Sequence, residues 1–119
     1  MKLILFILLF ISIAWADSFK IGGVQVEFTG HNGLLLSGCD KKCDALSSVK
    51  KHPSIRLKDL QNEKKFASSL GSEVCAKIYH AKSLLGRAVN GDGRAFCYFP
   101  DHSLIEINSL SLYLKARVL

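Results

Sequence analysis

Four cysteines and four histidines are the residues of this chain with the most reactive chemistry. Cys39 and Cys43 stand four apart, while Cys75 and Cys97 follow at long range. A Cys-x-x-x-Cys pair invites a structural zinc site, which takes two ligand pairs at short, defined spacing. No second pair exists here, because His31, His52, His80 and His102 are scattered. The reading is no metal and no cofactor. A cysteine nucleophile needs a free, low-pKa thiol with a histidine in reach. In a small exported chain an even cysteine count reads instead as two disulfides among Cys39, Cys43, Cys75 and Cys97. Three pairings are open. Joining Cys75 to Cys97 closes a loop of about 20 residues, worth roughly 3 kcal/mol in the chain-entropy model. A Cys39–Cys43 bridge is awkward between two helical positions and becomes accessible if Cys39 lies before the helix.

Other catalytic patterns are absent. There is no Gly-x-Ser-x-Gly elbow, and no carboxylate pair stands out. Gly91-x-Gly93 sits in a turn between two apolar runs, the wrong setting for a phosphate loop. Asp101-His102 has the composition of a coupled carboxylate–imidazole pair, but an Asp after Pro100 reads first as a turn cap beside an exposed His. No catalytic residue is assigned, and the sequence points away from an enzyme.

Charge is more informative. The chain holds 16 Lys+Arg against 10 Asp+Glu, a formal charge of +6. Eight cations crowd one stretch: Lys41, Lys42, Lys50, Lys51, Arg56, Lys58, Lys64 and Lys65. Only Asp40, Asp44, Asp59 and Glu63 oppose them, which leaves +4 there. A basic face of this kind suits an anionic partner, such as a lipid head group, a cell-wall polymer or nucleic acid, and a protein partner is the other reading. A solvated helix surface accounts for the same charges. Nucleic acid fits poorly, since no aromatics interleave with these lysines and export removes the usual target.

Export is read from the first sixteen residues. Lys2, the apolar run Leu3 to Ile11 and the small-x-small ending Ala14-Trp15-Ala16 have the order of a secretory signal peptide. That run is too short for a bilayer, which takes about 20 residues. Cleavage after Ala16 leaves residues 17–119 as one domain of charge +5, secreted or periplasmic. The first cysteine, Cys39, is far from the cleavage point, so no lipid anchor is expected. Glu106, Asn108, Lys115 and Arg117 interrupt the apolar C-terminal stretch, so no second membrane segment is expected.

The elements that must position these groups follow from period and punctuation. Val24, Val26 and Phe28 alternate with polar residues as a half-buried strand within 19–28, with Gly22-Gly23 as a bend or bulge at its start. The turn Gly30-His31-Asn32-Gly33 returns it to Leu34-Leu35-Leu36. Asp40 is placed to cap a helix to about Lys50, ended by His52-Pro53. Leu57 to Leu70 approximates helical spacing, and Gly71 breaks it. Ser72 then caps a helix from Glu73 to about Ala81. Asn90-Gly91 links Leu84–Val89 to Arg94–Phe99 as a second hairpin. The latter strand is apolar on both faces, so it must be central or covered by a helix. A last helix spans about Asn108 to Ala116. The expected fold is a small, disulfide-stabilised α+β domain with two β-hairpins and two to four short helices.

Residues 72–113 resemble a short bacterial domain of unknown function labelled a haemolysin. The carrying residues are the Val74-Cys75 helix, the turn Asn90-Gly91-Asp92-Gly93 and the run Cys97-Tyr98-Phe99-Pro100-Asp101-His102-Ser103. That family shows Cys-x-Phe-Pro-Asp-Gly-Ser, matched at Cys97, Phe99, Pro100, Asp101 and Ser103. His102 replaces its Gly, and Ile105 stands where its next Cys falls. The resemblance implies an exported, disulfide-bearing module. The whole reads as an exported binding or envelope-associated module. The alternatives are a small secreted hydrolase or toxin-like effector, or an inhibitor of a secreted enzyme.

Overall fold

Alternating strands have to bury one face, and here they do so by rolling the sheet shut. The computed structural model describes residues 16–60 and 69–119. In chain order the elements are β1 (Ala16–Ile21), β2 (Val24–His31), β3 (Leu34–Ser37), α1 (Asp44–Lys51) and a single 3-10 turn (Leu57–Asp59). Then come α2 (Leu70–Lys77), β4 (Lys82–Ala88), β5 (Gly93–Tyr98), β6 (Leu104–Glu106) and α3 (Ile107–Lys115). The strands form a closed antiparallel barrel in the order β1-β2-β3-β6-β5-β4. The expected signal peptide falls on residues 1–16, of which 1–15 lie outside the described residues; Ala16 opens β1 opposite Thr29.

This corrects the expected α+β domain built on two hairpins. Gly22 and Gly23 both take positive φ, 62° and 83°, and make a full hairpin turn rather than a bulge. The one strand expected over 19–28 is therefore two. Leu104–Glu106 adds a sixth strand, paired to β3 on one side and β5 on the other. β1 then meets β4 through Phe19↔Ala88 and Lys20↔Arg87, and the sheet closes. The helix expected from Leu57 begins as the 3-10 turn, and the remainder of that span, 61–68, lies outside the described residues. α2 starts earlier than expected, with Ser69 rather than Ser72 as its N-cap.

The barrel is filled by Phe19, Phe28, Phe96 and Leu104. Its three rings sit 5.2–5.3 Å apart between centroids, two of the pairs edge-to-face. Such pairs contribute about 0.5–1.5 kcal/mol each beyond the area they bury. Outside the barrel a second, larger core joins Leu34, Leu36, Cys97 and Ile105 of the strands to Leu46, Val49, Val74, Leu110 and Leu114 of the helices. α3 thus covers β3, β6 and β5, α2 packs on α3 and β4, and α1 joins the same outer core through Leu46 and Val49. The closing strand of the expected second hairpin is buried on both faces, as its sequence requires.

Gly71 does not break a helix; it lies inside α2, where α2 crosses α3. A Cβ there would stand 2.7 Å from both the Ile107 carbonyl oxygen and Ser111 Oγ, which accepts from the Gly71 N–H at 2.8 Å. In an open helix Gly→Ala gains about 1 kcal/mol. Here Gly71→Ala is expected to lose about 1–3 kcal/mol, because the two helices must part. Denaturant unfolding of the two proteins reads the sign directly.

Candidate functional site

All four cysteines are bridged, Cys39 to Cys43 and Cys75 to Cys97, with Cα separations of 5.1 and 5.8 Å. The short bridge is accessible for the reason its spacing allows. Cys39 lies ahead of α1, and Cys43 is the N-cap in extended conformation, with Sγ accepting the Leu46 N–H at 3.3 Å. Asp40, expected as that cap, is exposed in the loop closed by the bridge.

The first amides of a helix are orphan donors that usually attract an anion. In α1 the protein supplies its own. Asp101 Oδ2 accepts from the Asp44 N–H at 2.7 Å, and Ser103 Oγ accepts from the Ala45 N–H at 3.0 Å. Asp101 Oδ1 in turn accepts from the Ser103 N–H at 3.0 Å and from the Ser103 hydroxyl at 2.6 Å. Asp101 and Ser103 therefore plug the helix from the β5–β6 turn, some sixty residues downstream. Phe99 is buried in the outer core, Pro100 is exposed, and Cys97 ties β5 to α2. His102 is exposed at φ 73°, its Nδ1 against the Tyr98 hydroxyl.

With its amides satisfied, α1 offers its lysines. Lys41 and Lys42 in the disulfide loop and Lys50 and Lys51 in the last turn line one open cleft of about 670 Å³, beside Asp44 and Asp101. All four lysines are exposed, and none forms an ion pair with a described residue. Of the other expected members of the basic face, Arg56 and Lys58 do not line this cleft. Arg56 pairs with Asp59 at 3.5 Å, Lys58 belongs to the 3-10 turn, and Lys64 and Lys65 lie outside the described residues. So the fold gathers half of the predicted cations into one place.

Sequence reasoning missed a second cationic cleft, of about 750 Å³, at the end of the barrel. Lys20, Arg87 and Arg94 line it together with Gly22, Gly23 and Gly86. Lys20 and Arg87 are direct ladder partners across the β1–β4 closure, which no local pattern announces. Arg94 pairs with Glu106 at 3.4 Å, and Glu106 is fully buried. Its carboxylate caps α3 by accepting from the Asn108 and Ser109 N–H groups at 3.1 and 2.8 Å.

Chemically, the α1 cleft is a set of lysine donors gathered around the N-terminal half of α1 and its last turn. It can bind and orient anionic oxygens. Among the described residues no three of His, Cys, Asp and Glu gather as a metal site.

Burial alone would raise the Asp101 pKa, but the Ser103 hydroxyl and the Asp44 and Ser103 amides outweigh it and hold the group below its ordinary 3.8. A depressed carboxylate contributes stability that is present above its unfolded pKa and lost as pH falls through the folded one. The melting temperature is therefore expected to drop as pH falls below 3.8. Asp101→Asn keeps one acceptor and loses the charge, so it should melt lower at pH 6 by an amount that shrinks toward pH 3. A difference that stays constant with pH would sink this assignment. No family profile, curated protein or solved structure matches the chain.

Proposed function

We propose that the chain is an exported, disulfide-braced binding module whose α1 cleft takes an anionic component of the cell envelope. The observation that carries this reading is the convergence of Lys41, Lys42, Lys50 and Lys51 on one cleft, with no ion pair to any described residue. A solubilising surface would scatter its cations among carboxylates. Here the helix end that could have held an anion is occupied by Asp101, and the four lysines still outnumber the two carboxylates of the cleft.

Two further points support export. Two disulfides suit an oxidising compartment, and the leader-like start of the sequence precedes the barrel. Among the described residues no helix is long and apolar enough to cross a membrane. The resemblance to the haemolysin-labelled domain supports the same reading. His102, which replaces that family's glycine, sits in the left-handed region where glycine is at ease.

Binding to phosphatidylglycerol vesicles and to a soluble polyanion such as heparin tests the proposal. Each lysine near an anionic surface is worth about 1 kcal/mol. Neutralising all four (Lys41→Gln, Lys42→Gln, Lys50→Gln, Lys51→Gln) is expected to weaken binding at least tenfold and to flatten its salt dependence. Neutralising Lys20 and Arg87 instead should have a much smaller effect. Equal binding by the wild-type and the four-site variant overturns the reading.

A further inference from the structure

The two disulfides differ in burial and in the length of loop they close. Cys75 and Cys97 are both completely buried, and their bridge spans 22 residues between α2 and β5. The Cys39–Cys43 bridge spans four residues, Cys39 is partly exposed, and Cys43 forms part of the wall of the lysine cleft. A loop that short removes little unfolded-state entropy, so this bridge adds less to stability than its partner.

Cys43 Sγ is also the N-cap acceptor for the Leu46 N–H. A disulfide sulfur is a weak acceptor, and a thiolate is a strong one. That hydrogen bond therefore strengthens when the bridge opens. The lysine charges and the amide end of the helix act in the same direction. The charged groups around Cys43 are Lys41, Lys42, Lys50 and Lys51 against Asp44 and Asp101 of the cleft and Asp40 of the loop. Asp101 and Asp44 oppose a negative charge on Cys43, so its stabilisation falls to the Leu46 N–H and to Lys41 and Lys42 of the same loop.

We propose that Cys39–Cys43 is an exchangeable disulfide, open to attack by an external thiolate at Cys39. The incoming sulfur bonds to Cys39 Sγ, the Cys39–Cys43 bond breaks, and its electron pair leaves on Cys43 as thiolate. A second thiolate attacking the mixed disulfide releases Cys39. Two external thiols are then oxidised to one disulfide, and the protein pair is reduced by two electrons. Stabilising the departing thiolate makes the pair a better oxidant. This needs a thiol and no polyanion, so it stands apart from the envelope-binding reading.

The oxidised protein is incubated with reduced glutathione under native conditions, quenched by alkylation and mapped by mass spectrometry. Glutathione is expected on Cys39 with Cys43 alkylated and Cys75–Cys97 intact. Glutathione on Cys43, or opening of both bridges at one rate, overturns the proposal. A Cys39→Ser variant, still braced by Cys75–Cys97, leaves Cys43 as a single thiol for titration by thiolate absorbance. Its midpoint is expected at least one unit below the about 8.5 of an unperturbed thiol. Lys41→Gln with Lys42→Gln should raise it again. A midpoint any higher than that in the Cys39→Ser protein overturns the assignment, whatever the mapping shows.

Discussion

A strand that is apolar on both sides must be covered twice, and the architecture is organised around that demand. On β5, Phe96 faces one way while Ala95 and Cys97 face the other. The first face is covered by curling β1 and β2 over it until Phe19 and Phe28 meet Phe96. The second is covered by α2 and α3, with Cys97 bonded into α2. Neither cover suffices alone. A lone hairpin is marginal in water, and short helices need a packed face to exist at all. The inner and outer cores share this strand, and the residues just beyond its end reach on to α1.

The continuation from β5 into β6 shows how a fold can convert charge pairing into placement. Asp101 and Ser103 leave the barrel rim and satisfy the first amides of α1, which fixes the helix without an ion pair. At the other end of β6, Glu106 does the same for α3 from inside the protein. Two carboxylates are thereby consumed as helix caps. The positive charge of the chain is left on the surface, and α1 carries a concentrated share of it.

How much of this was legible in the sequence depended on range. The pattern over Arg94–Phe99 demanded two buried faces, and the structure supplies them. His52-Pro53 ended α1 where expected, and α3 lies within a residue of its predicted span. What failed was long-range or read from punctuation alone. Gly22-Gly23 looks the same as a bulge or as a turn until β1 is seen against β2. Gly71 reads as a breaker, although its missing side chain serves a helix crossing forty residues away. Leu104–Glu106 is too short to show a period, and nothing local says that it bridges β3 and β5. The basic stretch was visible as composition. Its convergence on α1, and the separation of Arg56 from it, follow from tertiary placement.

The barrel closes through only two ladder pairs, and β4 runs on past the end of β1 from Leu85 back to Lys82. Along that margin β4 has no β1 partner in the ladder, and it carries a bare leucine, Leu85, which is 80% exposed. An unpaired strand edge ordinarily recruits a neighbouring chain into a growing sheet. Lys20 and Arg87 face each other at this closure, and Lys82 stands exposed at the far end of the margin. A second copy approaching to extend the sheet would bring the same cations with it. Like charges brought together in that way oppose extension of the sheet through this margin.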